Sequence, residues 1–267
     1  MLRLGRQQLE GLGAAMSRVF ENEMAVHLGQ FFPPLVEAAG AEQLRETIRL
    51  GVARAASRGL TFRGPVRLYL ESMLLFGSHF DTDPQYPWAT ELLSHPDAGT
   101  QQQRADWLYV KILEYQEAIS GPEDVHALDT LHHLKSLVQR SRDFVGPMPS
   151  SSSGSERFVA DMLRQLTQAH PRKAEYIGEE GLRALIHRGL QVASRHGLST
   201  LRIRALLIVL MMALGHGCAE DPLYPWIARL LSDATLFDST ERVGLLEMQS
   251  LAWFDHILAY YSGEAPP

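Results

Sequence analysis

Four polar side chains of this chain could move protons. His79 and Asp81 lie in one short segment, and His216 and Glu220 lie in a related segment further along. Imidazole and carboxylate groups lining one cleft can exchange a proton with a bound molecule. The neighbouring carboxylate pairs, Asp81 with Asp83 and Glu220 with Asp221, could share acid/base work or hold a cation. Cys218, close to His216, offers a thiolate with a base nearby. His126, Asp129 and His133 are spaced i, i+3, i+7, so one helix face could present all three to a metal such as zinc.

The chain that must position these groups has 267 residues, 45% of them apolar and 21% charged, enough to build a buried core. Thirty-one acidic against 25 basic side chains give a formal charge of −6 and a pI near 6.0. That balance lacks the cationic excess of a nucleic-acid or anionic-membrane binder, so neither partner is expected. A single cysteine cannot form an internal disulfide, and the N-terminal residues lack the apolar stretch of a signal peptide, so a cytoplasmic location is expected.

The chain aligns with itself, without a gap, at a shift of about 138 residues, with about 26 identities over about 88 positions. The strongest match sets Asp83-Pro84-Gln85-Tyr86-Pro87-Trp88 against Asp221-Pro222-Leu223-Tyr224-Pro225-Trp226. Apolar positions extend it: Phe20, Met24 and Leu28 match Phe158, Met162 and Leu166. A repeat this long predicts a tandem duplication of a roughly five-helix domain, packed as a pseudo-two-fold pair. The expected division is a first repeat plus connecting helix over 1–145, a Ser/Pro/Gly linker over 146–154 that reads as flexible, and a second repeat over 155–267.

Apolar spacing is helical throughout and no segment alternates as a strand, so the fold class is all-α. The first helices, about 7–30 and 155–169, end before Pro33 and Pro171. The second run from Gly40 to Gly59 and from Gly178 to Gly197, where glycine suits a left-handed cap. The third cover about 65–78 and 200–216. The fourth begin at the repeated Asp-Pro-x-Tyr-Pro-Trp, where Asp83 and Asp221 are expected to cap the helix, while Tyr86, Trp88, Tyr224 and Trp226 supply buried area. The fifth span about 101–119 and 239–261. An unduplicated helix begins at Gly121-Pro122-Glu123-Asp124 and runs to about Phe144.

One helix differs between the copies in a way that bears on partners. Where the first copy places Arg67 and Glu71 four residues apart, the second has Ala205 and Val209 within the run from Ala205 to Leu214, which has no polar face. Ten residues are too few to span a bilayer. Either the first copy covers the extra face or another protein does, which makes Ala205, Val209 and Leu210 the partner-facing candidates.

The repeat also tests the chemical candidates, because a residue kept in both copies serves the shared scaffold. Asp83 and Asp221 are kept and read as structural. Asp81 matches Ala219, and Cys218 matches Phe80, the pattern of a small core filler. Leu128, Leu131, Leu134 and Val138 make the face opposite His126, Asp129 and His133 the buried one, which leaves those three in solvent. The chain contains no Gly-x-x-x-x-Gly-Lys-Ser/Thr loop and no Gly-x-Ser-x-Gly elbow; Gly11-Leu12-Gly13 falls inside a helical pattern. No catalytic residue, cofactor or metal is therefore assigned.

The segments Leu44 to Ala55, Gly59-Leu60 and Phe76-Gly77-Ser78-His79-Phe80-Asp81-Thr82-Asp83-Pro84-Gln85-Tyr86-Pro87-Trp88-Ala89, with Phe31-Phe32-Pro33 upstream, resemble the uncharacterised helical proteins often encoded beside type VI secretion spike and effector genes in Gram-negative bacteria. The second copy departs from the pattern at Cys218-Ala219-Glu220. The resemblance implies a cytoplasmic accessory, adaptor or immunity-like partner of a secreted toxin or spike component. The leading expectation is a non-enzymatic protein-interaction module. Its rival is an enzyme or small-ligand binder using the cleft between the copies, lined by His79, Asp81, His216 and Glu220.

Overall fold

Helix starts and stops follow local chemistry. Thr100 caps the helix that begins at Gln101 through a capping box with Gln103, Ser151 caps the one that begins at Ser152 through the Gly154 amide, and Pro33, Pro87, Pro171 and Pro225 each open a helix. A computed structural model describes residues 6–95, 99–122, 125–233 and 239–263, the side chains of 6–14 and of Ser239 excepted. Its helices are α1 (Arg6–Phe31), α2 (Pro33–Ala39), α3 (Ala41–Ser57), α4 (Arg63–Phe76), α5 (Pro87–Ser94), α6 (Gln101–Ser120), α7 (Ala127–Arg140), α8 (Ser152–Ala169), α9 (Pro171–Arg195), α10 (Leu201–Leu214), α11 (Pro225–Ser232) and α12 (Ser239–Ser262). The described residues form no β-strand; one isolated bridge joins Pro147 to Thr200. The fold is all-α, and no described helix is long and apolar enough to cross a membrane.

Four boundaries differ from expectation. Pro33 not only follows the end of α1 but opens a separate short helix, because a proline at the first helical position loses no hydrogen bond. In the second half the corresponding turn is fused into α9, which breaks at Gly178 (φ 70°). The fourth helices begin at Pro87 and Pro225 with Tyr86 and Tyr224 in the cap position and no side-chain cap, so Asp83 and Asp221 are not helix caps. The connecting helix α7 starts at Ala127, while Gly121 closes α6; Glu123 and Asp124 lie outside the described residues. Gly59 and Gly197 follow α3 and α9 at φ 70° and 67°, the left-handed conformation expected of them.

The segment read as a flexible linker is tied down. Met148 donates its amide to Ser199 and Leu201 donates to Gly146, and Ser152 and Ser153 form the first turn of α8. Buried side chains form one continuous cluster from Met24 to Phe254, shared by both halves. Across the junction, α6 packs on α9 and α12 packs on α2.

The apolar face of α10 is covered by this chain. Ala205, Val209 and Leu210 are all buried, enclosed by α9, α7, α8, α12 and the 3-10 turn Ser141–Asp143. They therefore do not face a partner. At the α4 positions that align with Ala205 and Val209, the surface stays partly wet and carries an Arg67–Glu71 pair (2.9 Å), with His27 2.6 Å from Glu71. Glu247 of α12, itself buried, accepts from Arg142 of the turn and Arg202 of α10, which fixes this cover in place.

Candidate functional site

The two Asp-Pro turns meet at the centre of the molecule. Asp83 accepts the His216 amide (2.6 Å), and Asp221 accepts the Ser78 amide (2.7 Å) and the Ser78 hydroxyl (2.7 Å). Each carboxylate also accepts the amide two residues on, Gln85 for Asp83 and Leu223 for Asp221, both at 2.9 Å. The carboxylates thus close their own turns and bind the start of the opposite turn. Gly77 (φ 89°) and Gly215 (φ 94°) make this approach possible. A Cβ on Gly77 would sit 2.4 Å from the Leu214 carbonyl, and one on Gly215 would sit 2.6 Å from the Phe76 carbonyl. Burial raises the Asp221 pKa even though the bonds from Ser78 and Leu223 oppose the shift.

On one side of this junction lie the groups that could do acid/base chemistry. His79 and His216 have ring centroids 6.1 Å apart, and His216 Nδ1 is 3.1 Å from Asp83 Oδ2 without the alignment of a hydrogen bond. Asp81 is buried and bound by Arg54 and by Arg58 (2.7 Å). Burial raises its pKa, but the two guanidiniums outweigh that and hold it below the usual carboxylate range. Burial, then the Arg54 charge and His216, push His79 down to about 4. Glu220 is exposed, 3.6 Å from Arg195. Of the four cleft candidates, only His216 lines the neighbouring groove of about 430 Å³, whose other walls include Thr82, Pro84, His187 and Arg188. Asp81 is committed to its arginines, so the set does not converge on a common space.

Arg54 and Arg58 escaped the sequence reading although the signal was present. Arg54 faces Val192 in the repeat alignment and Asp81 faces Ala219, so the two members of the ion pair depart together from the second copy. Cys218 is buried and its thiol pKa is raised by burial. Among the described residues, no group of three His, Cys, Asp or Glu side chains is placed to hold a metal; His126 precedes α7, and Asp129 and His133 lie on it.

The opposite side of the junction holds a cavity of about 560 Å³, within the usual size range of small-molecule sites. Its lining contains six pairs of residues 138 positions apart in the sequence: Phe32 with His170, Leu74 with Met212, Leu75 with Ala213, Tyr86 with Tyr224, Tyr115 with Trp253, and Ile119 with Ile257. One wall is added by α7 through Ala127, Leu128, Thr130, Leu131 and Leu134. Leu128 and Tyr261 are the exposed members and mark where it meets solvent. Aromatic rings build the first-half side: Phe76 contacts Tyr86, Trp88 and Tyr115 at 4.9, 5.8 and 5.6 Å. Trp226 was expected to match Trp88, but it is only partly buried and joins no such cluster.

Lys173 is the charged group of this lining. It is 5% exposed, and its ammonium donates to the Met212 carbonyl (3.1 Å) and weakly to the Tyr86 hydroxyl (3.4 Å), over whose ring it lies at 5.2 Å. No carboxylate is within ion-pair distance among the described residues. Burial lowers its pKa to about 8, with Asp83 opposing. His170 is pushed down to about 3 by burial and by Lys173. The indole N–H of Trp253, in the same lining, finds no acceptor among the described residues. Lys173 carries no signal in the self-alignment, where it stands opposite Leu35. No protein-family model, curated protein or solved structure matches this chain.

Proposed function

We propose that this chain is a non-enzymatic binding protein, built from a tandem-duplicated helical module whose halves pack about a pseudo-two-fold axis and enclose a ligand between them. The observation that carries this reading is the cavity, where six pairs of equivalent residues supply an apolar, aromatic lining and Lys173 supplies an isolated charge. The duplication is supported by helix bounds that recur at the repeat spacing in α4 and α10, and in α5 and α11. It is further supported by the reciprocal bonds of Asp83 to His216 and Asp221 to Ser78. A second reciprocal contact links His256 to the Pro34 carbonyl (3.0 Å) and Arg172 to the Ala118 carbonyl (3.4 Å), again at equivalent positions. The test is titration with the neutral apolar fluorophore Nile red. Saturable binding with one site per chain, lost on filling the cavity with Ala213→Phe, is expected. Unsaturable binding, or binding unchanged by that substitution, would overturn the proposal.

A second reading draws on the outer face of α6, where Trp107, Tyr109, Val110 and Leu113 are exposed together. That stripe supports docking of another polypeptide, the adaptor or immunity-like role that the type VI resemblance implies. Co-purification with products of neighbouring genes, compared between the parent chain and Val110→Ser with Leu113→Ser, tests it. Equal recovery from both would remove the α6 face from consideration.

A further inference from the structure

We propose that the ligand of the inter-half cavity is an amphipathic monocarboxylate, its head group held by Lys173 and its hydrocarbon body lying among Tyr115, Leu131 and Trp253. The inference rests on the ligand-binding reading above and names the chemistry of the ligand. Three observations carry it. First, Lys173 is buried with only neutral acceptors, the Met212 carbonyl at 3.1 Å and the Tyr86 hydroxyl at 3.4 Å. An ammonium has three donors, so at least one N–H is left for a ligand. Second, the buried polar atom of the cavity lining that has no partner among the described residues is also a donor, the Trp253 indole N–H. A carboxylate only accepts, and a charge-assisted bond from an ammonium in a dry site is among the stronger polar contacts available to it. Third, the remaining lining is dominated by apolar and aromatic side chains, which favours a hydrocarbon body over a sugar or nucleotide.

A purely structural role for Lys173 is the competing account. Met212 lies in the last turn of α10, where a carbonyl lacks a helical donor and a cation is favoured. Helix capping alone gives no preference among ligand head groups, so the head group discriminates between the two. Calorimetric titration of the full chain with dodecanoate and with dodecanol compares equal tails. Dodecanoate is expected to bind about ten-fold or more tightly, the factor corresponding to one charged hydrogen bond. In Lys173→Met the two ligands should bind within about two-fold of each other, with dodecanol little changed. Should that variant fail to fold, Trp253→Phe keeps the ammonium and removes the indole donor, and a selective loss for dodecanoate is then expected. Equal binding of both ligands by the parent chain would overturn the carboxylate inference and leave the ligand-binding reading standing. Binding of neither would overturn both. A carboxylate preference that survives removal of the ammonium, or of the indole donor where Trp253→Phe is the variant in use, would show that the head group lies elsewhere.

Discussion

Replacing Lys173 with methionine is predicted to stabilise the folded chain at neutral pH. A side chain that is 5% exposed and has no carboxylate partner carries its charge at a cost. Its folded pKa of about 8 lies below the ordinary 10.5, and at about 1.4 kcal/mol per unit this corresponds to about 3 kcal/mol at pH 7. Methionine relieves that cost and fills a similar volume. Against it stands the Met212 carbonyl, which loses its donor at a cost of about 1–2 kcal/mol. The net expectation is a gain of about 1–2 kcal/mol at pH 7.

The sign of the pH dependence provides the sharper test. Between pH 8 and 10.5 the unfolded chain holds the Lys173 proton and the folded chain does not, so the contribution of Lys173 to stability rises with pH through that window, and the difference between parent and variant isolates it. Tyr86, Tyr224 and Cys218, whose folded pKa values burial raises, act in the opposite direction as the unfolded groups ionise, but they are common to both chains and cancel in the difference between parent and variant. The burial penalty should fall from about 3 kcal/mol at pH 7 to about 1 kcal/mol at pH 10. The advantage of Lys173→Met should therefore vanish or reverse. Urea denaturation of both chains at the two pH values measures this directly. A variant that is less stable at pH 7, or a difference that does not change with pH, would refute the reasoning.

Three other outcomes are expected. Asp221→Ala leaves the Ser78 and Leu223 amides without their acceptor in a dry junction, at a cost of about 1–4 kcal/mol after allowing for relief of the buried charge, measurable by the same denaturation. Gly215→Ala forces a Cβ to within 2.6 Å of the Phe76 carbonyl at φ 94°; a loss of more than about 3 kcal/mol is expected, and a well-folded, undiminished variant would contradict the close approach of the two turns. His79, pushed down to about 4, should show ring-proton chemical shifts that titrate near pH 4. Because its folded pKa is below the unfolded one, its contribution to stability is lost as pH falls from about 6.5 to about 4, and an NMR midpoint above 6 would argue against its burial.

Much of the helical framework was legible in the amino-acid order. The glycines after α3 and α9 and the apolar spacing of α4 are short-range signals, acting within one or two turns of backbone. The same reading failed at Asp83 and Asp221. A carboxylate before proline has a local use as a helix cap, and nothing nearby in sequence indicates that its acceptors serve amides of the opposite half. Arg54, Arg58 and Asp81 were visible only as joint departures from the repeat, and comparison of matched positions does not look for those.

By itself, then, the amino-acid order determined that the chain is helical and where many of its helices end. Those properties depend on backbone sterics and on periodicity within a few residues. Tertiary structure alone decided that α7 helps to enclose α10, that Asp81 is committed to Arg54 and Arg58 while His216 lies beside Asp83, and that Lys173 lies isolated in an aromatic cavity. Burial and electrostatics depend on groups brought together from distant parts of the chain, such as Tyr86, Lys173 and Met212. No local pattern specifies such a meeting.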